Sequence, residues 1–209
     1  MKILVTGFDP FGGEQMNPAF QAVKRLPERI HEAQIIKLEI PTSFVRSICA
    51  VEKAMEQYCP DIVLGVGQAG GRACITVEKV AINLADAAIP DNDGRKPLDQ
   101  VIREDGETAY FSTLPVKAMV ENMRNHGIPA HISYSAGTYV CNSIMYQVLY
   151  LIDKKYPQTR GGFIHVPYES RQTVGKSANT PSMSLDSMVR GLEYAIQAAI
   201  KGEELGITQ

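Results

Sequence analysis

Short, mostly apolar runs alternate along this chain with amphipathic stretches of helical spacing, and that alternation limits the available folds more than any other feature. Lys2 to Thr6, Ile35 to Ile40, Asp61 to Val66 and Phe163 to Val166 have the length and residue types of buried strands, with Ala130 to Ser133 a more polar candidate. Between them, Asn17-Pro18 supplies an N-cap and a proline for the first helical position, which predicts a helix from Pro18 to Leu26. Val45, Ile48, Cys49, Val51 and Met55 mark one face of a helix over Phe44 to Tyr58 that stops before Pro60. Further helices are predicted from Pro115 to the His126-Gly127 stop, from Asn142 to Lys155, and from a Ser184 cap to about Gly202. The Asp61 to Val66 run is almost wholly apolar, as a central parallel strand buried on both faces must be. The expected architecture is an α/β three-layer sandwich: a largely parallel twisted sheet with helices on both faces. With 209 residues, the chain is read as one domain spanning residues 1–209.

Two segments depart from the alternation. Cys74 to Leu84 reads as one long extended stretch. Asp86 to Asp105 is a polar loop of a length that usually carries function.

Composition excludes several classes of function. A formal net charge of -2 and the lack of any Lys/Arg stripe argue against nucleic acid as a partner. The apolar opening is broken by Gly7, Asp9 and Pro10 before it reaches signal-peptide length, and no later run approaches a membrane span. The expectation is a cytoplasmic protein with no membrane partner. Cys49, Cys59, Cys74 and Cys141 form no CxxC pair and have no histidines at zinc spacing, which argues against a disulfide framework or structural zinc.

Gly65-Val66-Gly67-Gln68-Ala69-Gly70 matches the dinucleotide fingerprint G-x-G-x-x-G. The fingerprint requires a following helix to receive a pyrophosphate, and the chain continues instead into the β-branched run Cys74-Ile75-Thr76-Val77. The expected role is a glycine-rich loop with backbone open to a substrate.

Cys141 stands between the small-residue turn Ser135-Ala136-Gly137-Thr138 and the start of an amphipathic helix. Amides at a helix N-terminus stabilise an anion, so this position suits a thiolate nucleophile and an oxyanion, with a small buried hydrophobe still open as the alternative, whereas Cys49, Cys59 and Cys74 read as small buried hydrophobes. A thiol nucleophile needs a histidine base. His31 and His126 have local structural explanations and His131 begins a strand, but His165 ends an apolar strand where ligands of α/β sheets gather. On the residues alone, a core imidazole and a catalytic one remain equally open there. Glu78, the one charge on its face of an extended segment, suits the carboxylate that orients such a base, with a salt bridge to Lys79 or Arg72 as the alternative.

These motifs occur together, in this order, in one family: the chain resembles pyroglutamyl peptidase I, also called pyrrolidone carboxyl peptidase. The similar stretches are Gly7 to Gly13 with Asn17-Pro18, Gly67 to Arg72, Glu78 to Asn83, Ile89-Pro90-Asp91-Asn92, Ala136 to Asn142 and Gly162 to Tyr168. The resemblance implies an open α/β fold and a cysteine omega-peptidase with Cys141 as nucleophile, His165 as base and Glu78 as acid partner. It implies hydrolysis after an N-terminal pyroglutamyl (5-oxoproline) residue of small peptides, through a thioester acyl-enzyme. It also implies no metal and no cofactor, a ring pocket at Phe8, Phe11, Thr42, Gln68, Ile89, Tyr139 and Val140, and a homo-oligomer, often a tetramer.

Three positions depart from the family pattern: Ala88 where arginine is common, Val77 where proline is usual, and Ser143 where a larger residue such as histidine is common. The missing arginine raises an alternative, a catalytically weakened pyroglutamyl-peptide binding protein of the same fold. A phosphorylase-like enzyme, argued only from sheet architecture and the glycine loop, is a further reading.

Overall fold

The computed structural model describes residues 1–204. Its strands are β1 (Lys2–Phe8), β2 (Arg29–Ile30), β3 (Ala33–Ile40), β4 (Ile62–Gln68), β5 (Ile75–Glu78), β6 (Val80–Ile82), β7 (Ala109–Phe111), β8 (Ala130–Ser133), β9 (Arg160–Val166), β10 (Tyr168–Glu169) and β11 (Ser182–Met183). Its helices are α1 (Pro18–Arg25), α2 (Arg46–Tyr58), α3 (Val116–Asn125), α4 (Val140–Lys154) and α5 (Leu185–Glu204).

Seven strands form the central sheet in the order β2-β3-β1-β4-β9-β5-β8. Its pairs are parallel except β2 with β3 at one edge and β5 with β9 inside the sheet. The two faces of the sheet bury separate cores. Ile3 and Val5 of β1 pack with Ala19 and Val23 of α1, Met119 of α3 and Leu192 of α5, while Leu4 and Phe8 pack with Val51 and Met55 of α2 and Ile144 and Leu149 of α4. Successive residues of a strand point to opposite faces, so a strand covered on both sides must be apolar at every position. The result is a three-layer α/β sandwich.

Helix starts follow the local chemistry. Asn17 Oδ1 accepts the Ala19 N–H at 3.1 Å with Pro18 at the first helical position, and Ser184 Oγ accepts the Ser187 N–H at 3.2 Å. Helix α2 begins two residues later than its apolar spacing predicts, because Ser43 Oγ takes the Arg46 N–H at 3.1 Å and ends the preceding turn there. Helix α4 begins two residues earlier than expected, so Cys141 lies inside its first turn.

The predicted continuous strand over Cys74 to Leu84 is two strands in two sheets. Lys79 marks the break: its N–H donates to Ser133 O at 2.7 Å and its carbonyl accepts from Ser112 N–H at 2.9 Å, after which the chain leaves the central sheet to pair β6 with β7. Apolar, β-branched composition runs through both strands, so the sequence carries no mark of the exchange of partners. The Asp86 to Asp105 loop contains no helix or strand; its one ladder-like contact is a bridge between Ala85 and Gln100.

Asn142 ties this second sheet to the start of α4. Wholly buried, its side chain accepts the Ile82 N–H at 3.0 Å and donates to the carbonyls of Ile82 and Leu84 at 2.9 and 3.0 Å. Asn142→Ala would strand those backbone groups away from water. It is expected to cost about 3 kcal/mol of folding stability, read as a fall in the urea midpoint with an unchanged m-value.

Candidate active site

The arrangement of the site follows from strand register. His165 of β9 pairs with Gly67 of β4 on one side and with Thr76 of antiparallel β5 on the other. Alternation then puts Thr76, Glu78, Phe163 and His165 on one face of the sheet, with Glu78 diagonal to His165. The carboxylate spans that diagonal: His165 Nδ1 lies 2.7 Å from Glu78 Oε1, with Glu78 wholly buried and His165 4% exposed. The Phe163 ring meets the imidazole edge to face at 5.0 Å. At Gly67 a Cβ would stand only 2.8 Å from Cys141 Sγ, so the absent side chain is what admits the thiol beside His165. Cys141 arrives on the first turn of α4, where the N-cap residue Tyr139 makes no side-chain capping bond and leaves the leading amides open.

Arg72 completes the cluster. Its Nη1 donates to Glu78 Oε1 at 2.7 Å and also to the Thr76 hydroxyl, while Nη2 donates to Ser135 O at 3.3 Å. Both alternatives posed for Glu78 therefore hold together, since it pairs with Arg72 and with His165. A guanidinium has no acceptor, so Oε1 accepts from Arg72 and from His165 alike. Nδ1 therefore carries a proton, and Nε2 is the ring nitrogen left to accept one. Glu78 Oε2 is buried without a hydrogen bond of good geometry, yet the hydroxyl of Ser133, its register partner on β8, is close enough to help hold the carboxyl ionised.

The electrostatics oppose a free thiolate. Burial, reinforced by the charge on Glu78, pushes the Cys141 thiol up to about 12, against the smaller lowering effects of Arg72 and the local backbone. The helix N-terminus was expected to favour the anion, but the desolvation cost at this partly buried position is larger. Burial also pulls His165 below its ordinary value, more than Glu78 raises it, and Arg72 adds to the lowering. Burial would raise Glu78, but hydrogen bonding and charge from His165, with Ser133 and Arg72, bring it below its ordinary value. Arg72 adds a permanent positive charge beside Glu78, the smallest of these stabilising contributions, and the Nδ1–H of a neutral imidazole can still donate to the carboxylate. The resting state is thus a neutral thiol and neutral imidazole beside an anchored carboxylate.

These groups open onto a cavity of about 190 Å³ lined by Phe8, Phe11, Asn17, Thr42, Gln68, Ala69, Arg72, Ala136, Gly137, Tyr139, Val140, Cys141 and His165. Six of the seven predicted ring-pocket positions are among them. Ile89 is not; it is 45% exposed, beyond the cavity wall, although neighbouring Pro90 O accepts a 3.0 Å hydrogen bond from the Tyr139 hydroxyl. Tyr139 packs against Phe11 and, edge to face, against Phe44. Gly67 and Gln68 of the fingerprint-like loop end β4 at this cavity, and β5 rather than a helix follows. Sequence reasoning missed Asn17, Ala69, Ala136 and Gly137 as lining residues and saw Arg72 only as one alternative ion-pair partner. Ala88 is exposed, Val77 is buried in β5, and Ser143 is buried where its hydroxyl accepts from Gln147 at 3.2 Å.

A family model described as pyroglutamyl peptidase matches residues 1–202. The chain belongs to the pyroglutamyl peptidase family. It is 58% identical over 200 residues to a pyrrolidone-carboxylate peptidase of Clostridium perfringens, covering 96% of this chain and 93% of that one. It is 59% identical over 201 residues to one of Thermosipho africanus, covering 96% and 98%. Among solved structures, pyroglutamyl peptidase I from Bacillus amyloliquefaciens superposes with a TM-score of 0.92 at 47% identity, covering 95% of this chain and 94% of that one. Pyrrolidone carboxyl peptidase from Thermococcus litoralis does so with 0.96 at 40% identity, covering 99% and 96%.

The charge arrangement sets two opposite pH shifts. A histidine base works when neutral, so kcat/KM is lost as pH falls through the His165 pKa, which lies below 6.5. Glu78 raises that pKa and Arg72 lowers it. Glu78→Gln should therefore move the acid limb to lower pH while cutting kcat on the order of 10²- to 10⁴-fold, and Arg72→Gln should move it to higher pH. Shifts of the same sign in both variants would contradict the arrangement. Stability follows the same sign. Both folded pKa values are depressed, so stability is whole above 6.5 and declines as pH falls, first through His165 and then, below 4.5, through Glu78. Urea unfolding at pH 7.5, 5.5 and 4 is the check.

Proposed function

We infer that this chain is a cysteine omega-peptidase that hydrolyses the amide bond following an N-terminal pyroglutamyl residue of peptides. The observation that carries the reading is the convergence, in a member of this family, of Cys141 with the Glu78-oriented His165 on one small apolar cavity.

His165 Nε2 takes the Cys141 thiol proton as Sγ attacks the pyroglutamyl carbonyl carbon. The proton transfer exchanges a neutral pair for a thiolate and an imidazolium, and the buried Glu78 carboxylate at 2.7 Å stabilises the imidazolium. The high pKa of the isolated thiol is therefore no obstacle, since ionisation is coupled to the base rather than to solvent. The C=O π electrons move to oxygen, and the resulting oxyanion is placed for the open amides of the first turn of α4. Collapse re-forms the carbonyl and breaks the C–N bond, with the proton on His165 passing to the leaving amine. That leaves a thioester between Cys141 and the pyroglutamyl group. Water, deprotonated by His165, attacks the thioester, and the thiol and free 5-oxoproline are released.

Specificity follows from the cavity wall. Phe8, Phe11 and Tyr139 supply apolar surface for the ring methylenes. An N-terminal glutamate would bring an ammonium and a carboxylate into that space without partners. Proline keeps the ring but carries a cationic amine and lacks the lactam carbonyl. With one chromogenic leaving group, pyroglutamyl amide should be cleaved, and the prolyl and glutamyl amides should be poorer by roughly four powers of ten. Cys141→Ala should abolish turnover while keeping the fold. Pyroglutamyl-amide binding by the wild type with no turnover would favour the weakened binding protein instead.

We further place the chain in the cytoplasm as a homo-oligomer. Four free thiols, with Cys49 and Cys59 exposed, suit a reducing compartment, and no helix among the described residues is long and apolar enough to cross a membrane. A tetramer would scatter light as four chains of 23.0 kDa.

A further inference from the structure

Gln68 lines the cavity with a side-chain amide that presents either a donor or an acceptor to a substrate, depending on which way it is turned. The hydrogen-bond neighbours of such an amide decide between its two orientations. Here the decision is made one hydrogen bond away, at Gln172, which is 9% exposed and belongs to the 3₁₀ turn after β10.

The orientation of Gln172 is over-determined. Its Oε1 accepts the backbone N–H of Glu169 at 2.9 Å, in a capping box where the Glu169 carboxylate in turn accepts the Arg171 N–H at 2.8 Å. A backbone N–H can only donate, so oxygen must face it. The other side of Gln172 meets acceptors: Glu14 Oε2 at 3.2 Å, Met16 O at 3.4 Å and Gln68 at 2.9 Å. Glu14 is held ionised, first by its hydrogen bond to Lys176 at 2.7 Å. It offers Gln172 no proton. The NH₂ of Gln172 must therefore point at Gln68, and Gln68 must answer with Oε1.

We propose that Gln172 is a positioning residue that locks the Gln68 amide with Oε1 turned away from the cavity, leaving its NH₂ as a fixed donor for the lactam carbonyl of the pyroglutamyl ring. The Gln68 Nε2 has no hydrogen bond to any described residue and is not among the buried polar atoms lacking a partner, so it is an accessible, unpaired donor on a residue that lines the cavity. A chain of fixed donors and acceptors thus runs from the Glu169 backbone amide through Gln172 and Gln68 to the substrate. Without that constraint the Gln68 amide would turn freely, and half of its orientations would set an oxygen against the lactam oxygen. The proposal rests on the peptidase reading and adds the residue that sets the polarity of its pocket.

Two variants of the full chain test it, Gln172→Leu and Gln172→Glu. The first removes the relay. The second, carried with Glu14→Gln so that the new carboxylate does not face the Glu14 charge at 3.2 Å, keeps the acceptor for Glu169 N–H but directs a carboxylate oxygen at Gln68, which must then donate its NH₂ to that oxygen and turn Oε1 into the cavity. The readout is independent of turnover: the protection of Cys141 from iodoacetamide by 2-pyrrolidone, followed by peptide mapping. Wild type should be protected, and both variants should need on the order of tenfold to a hundredfold more lactam, Gln172→Glu the more. The alkylation rate without lactam should stay within about twofold of wild type, because the thiol and its base are untouched. For a pyroglutamyl amide the loss should fall mainly on KM. Equal protection in wild type and both variants would overturn the relay and leave the peptidase reading standing. A parallel loss of alkylation rate would overturn it too, by showing that Gln172 acts on the thiol or the fold. A wild type that neither binds 2-pyrrolidone nor cleaves pyroglutamyl amides would remove the lactam pocket itself.

Discussion

One buried carboxylate organises the site. Glu78 is wholly excluded from water, and an ionised carboxylate in that position is tolerable only if its charge is matched where it sits. Arg72 and His165 supply the match through the same oxygen, each at 2.7 Å. The sharing has a chemical consequence. Because Arg72 carries a permanent charge, the imidazole is free to stay neutral and to keep an unprotonated Nε2 for the thiol. If Glu78 had only His165 as a partner, the imidazole would be drawn toward protonation, and a protonated imidazole is no base.

The geometry behind this depends on the reversed strand. Were β5 parallel to β9, the pairing that sets Thr76 opposite His165 and Glu78 opposite Phe163 would not exist, and the diagonal reach from carboxylate to imidazole would be lost. On the other side of β9, the parallel β4–β9 register puts Gly67 beside His165, and the missing Cβ there opens the space for Cys141 Sγ. Sheet, thiol and base are thus positioned by backbone pairing. Rigid elements of this kind hold a reacting pair more closely than loops do.

Much of this was legible in the sequence, for identifiable reasons. The strands β1, β4 and β9 are buried on both faces, so their composition alone marks them, and Asn17-Pro18 and Ser184 announce helices through capping chemistry that acts within a few residues. Cys141 stood out by its place at the start of a helix, and His165 and Glu78 as polar groups at positions that would otherwise be apolar. What failed to show depends on contacts between distant parts of the chain. The break at Lys79 is set by Ser133 and Ser112, and nothing in the local sequence reports it. Ile89 lies beyond the cavity wall because the loop carrying it is placed by contacts such as Asn92 with Asp9 and Pro10 and Tyr139 with Pro90. Gln172 is a glutamine in a polar stretch, and its meaning arises only when Gln68, 104 positions away, comes within 2.9 Å. The high thiol pKa was also invisible, since local sequence shows the helix start but not the depth of burial.

The alanine at position 88 bears on how an oxyanion is held. Ala88 is exposed and brings no charge to the site, and Arg72, the one arginine lining the cavity, is already engaged with Glu78, Thr76 and Ser135. Turning Arg72 toward substrate would uncover the Glu78 charge in the interior, so it is poorly suited to serve both. In the proposed mechanism the stabilisation of negative charge on the attacked carbonyl therefore falls to backbone amides at the start of α4, which cost no reorganisation provided the helix end is held still. Asn142 holds it, by three hydrogen bonds to the backbone of Ile82 and the residue two further on, and it does so from the position next to Cys141, the proposed nucleophile. A residue with no contact to substrate thereby bears on the chemistry, because the donors it steadies have no side chain to replace them.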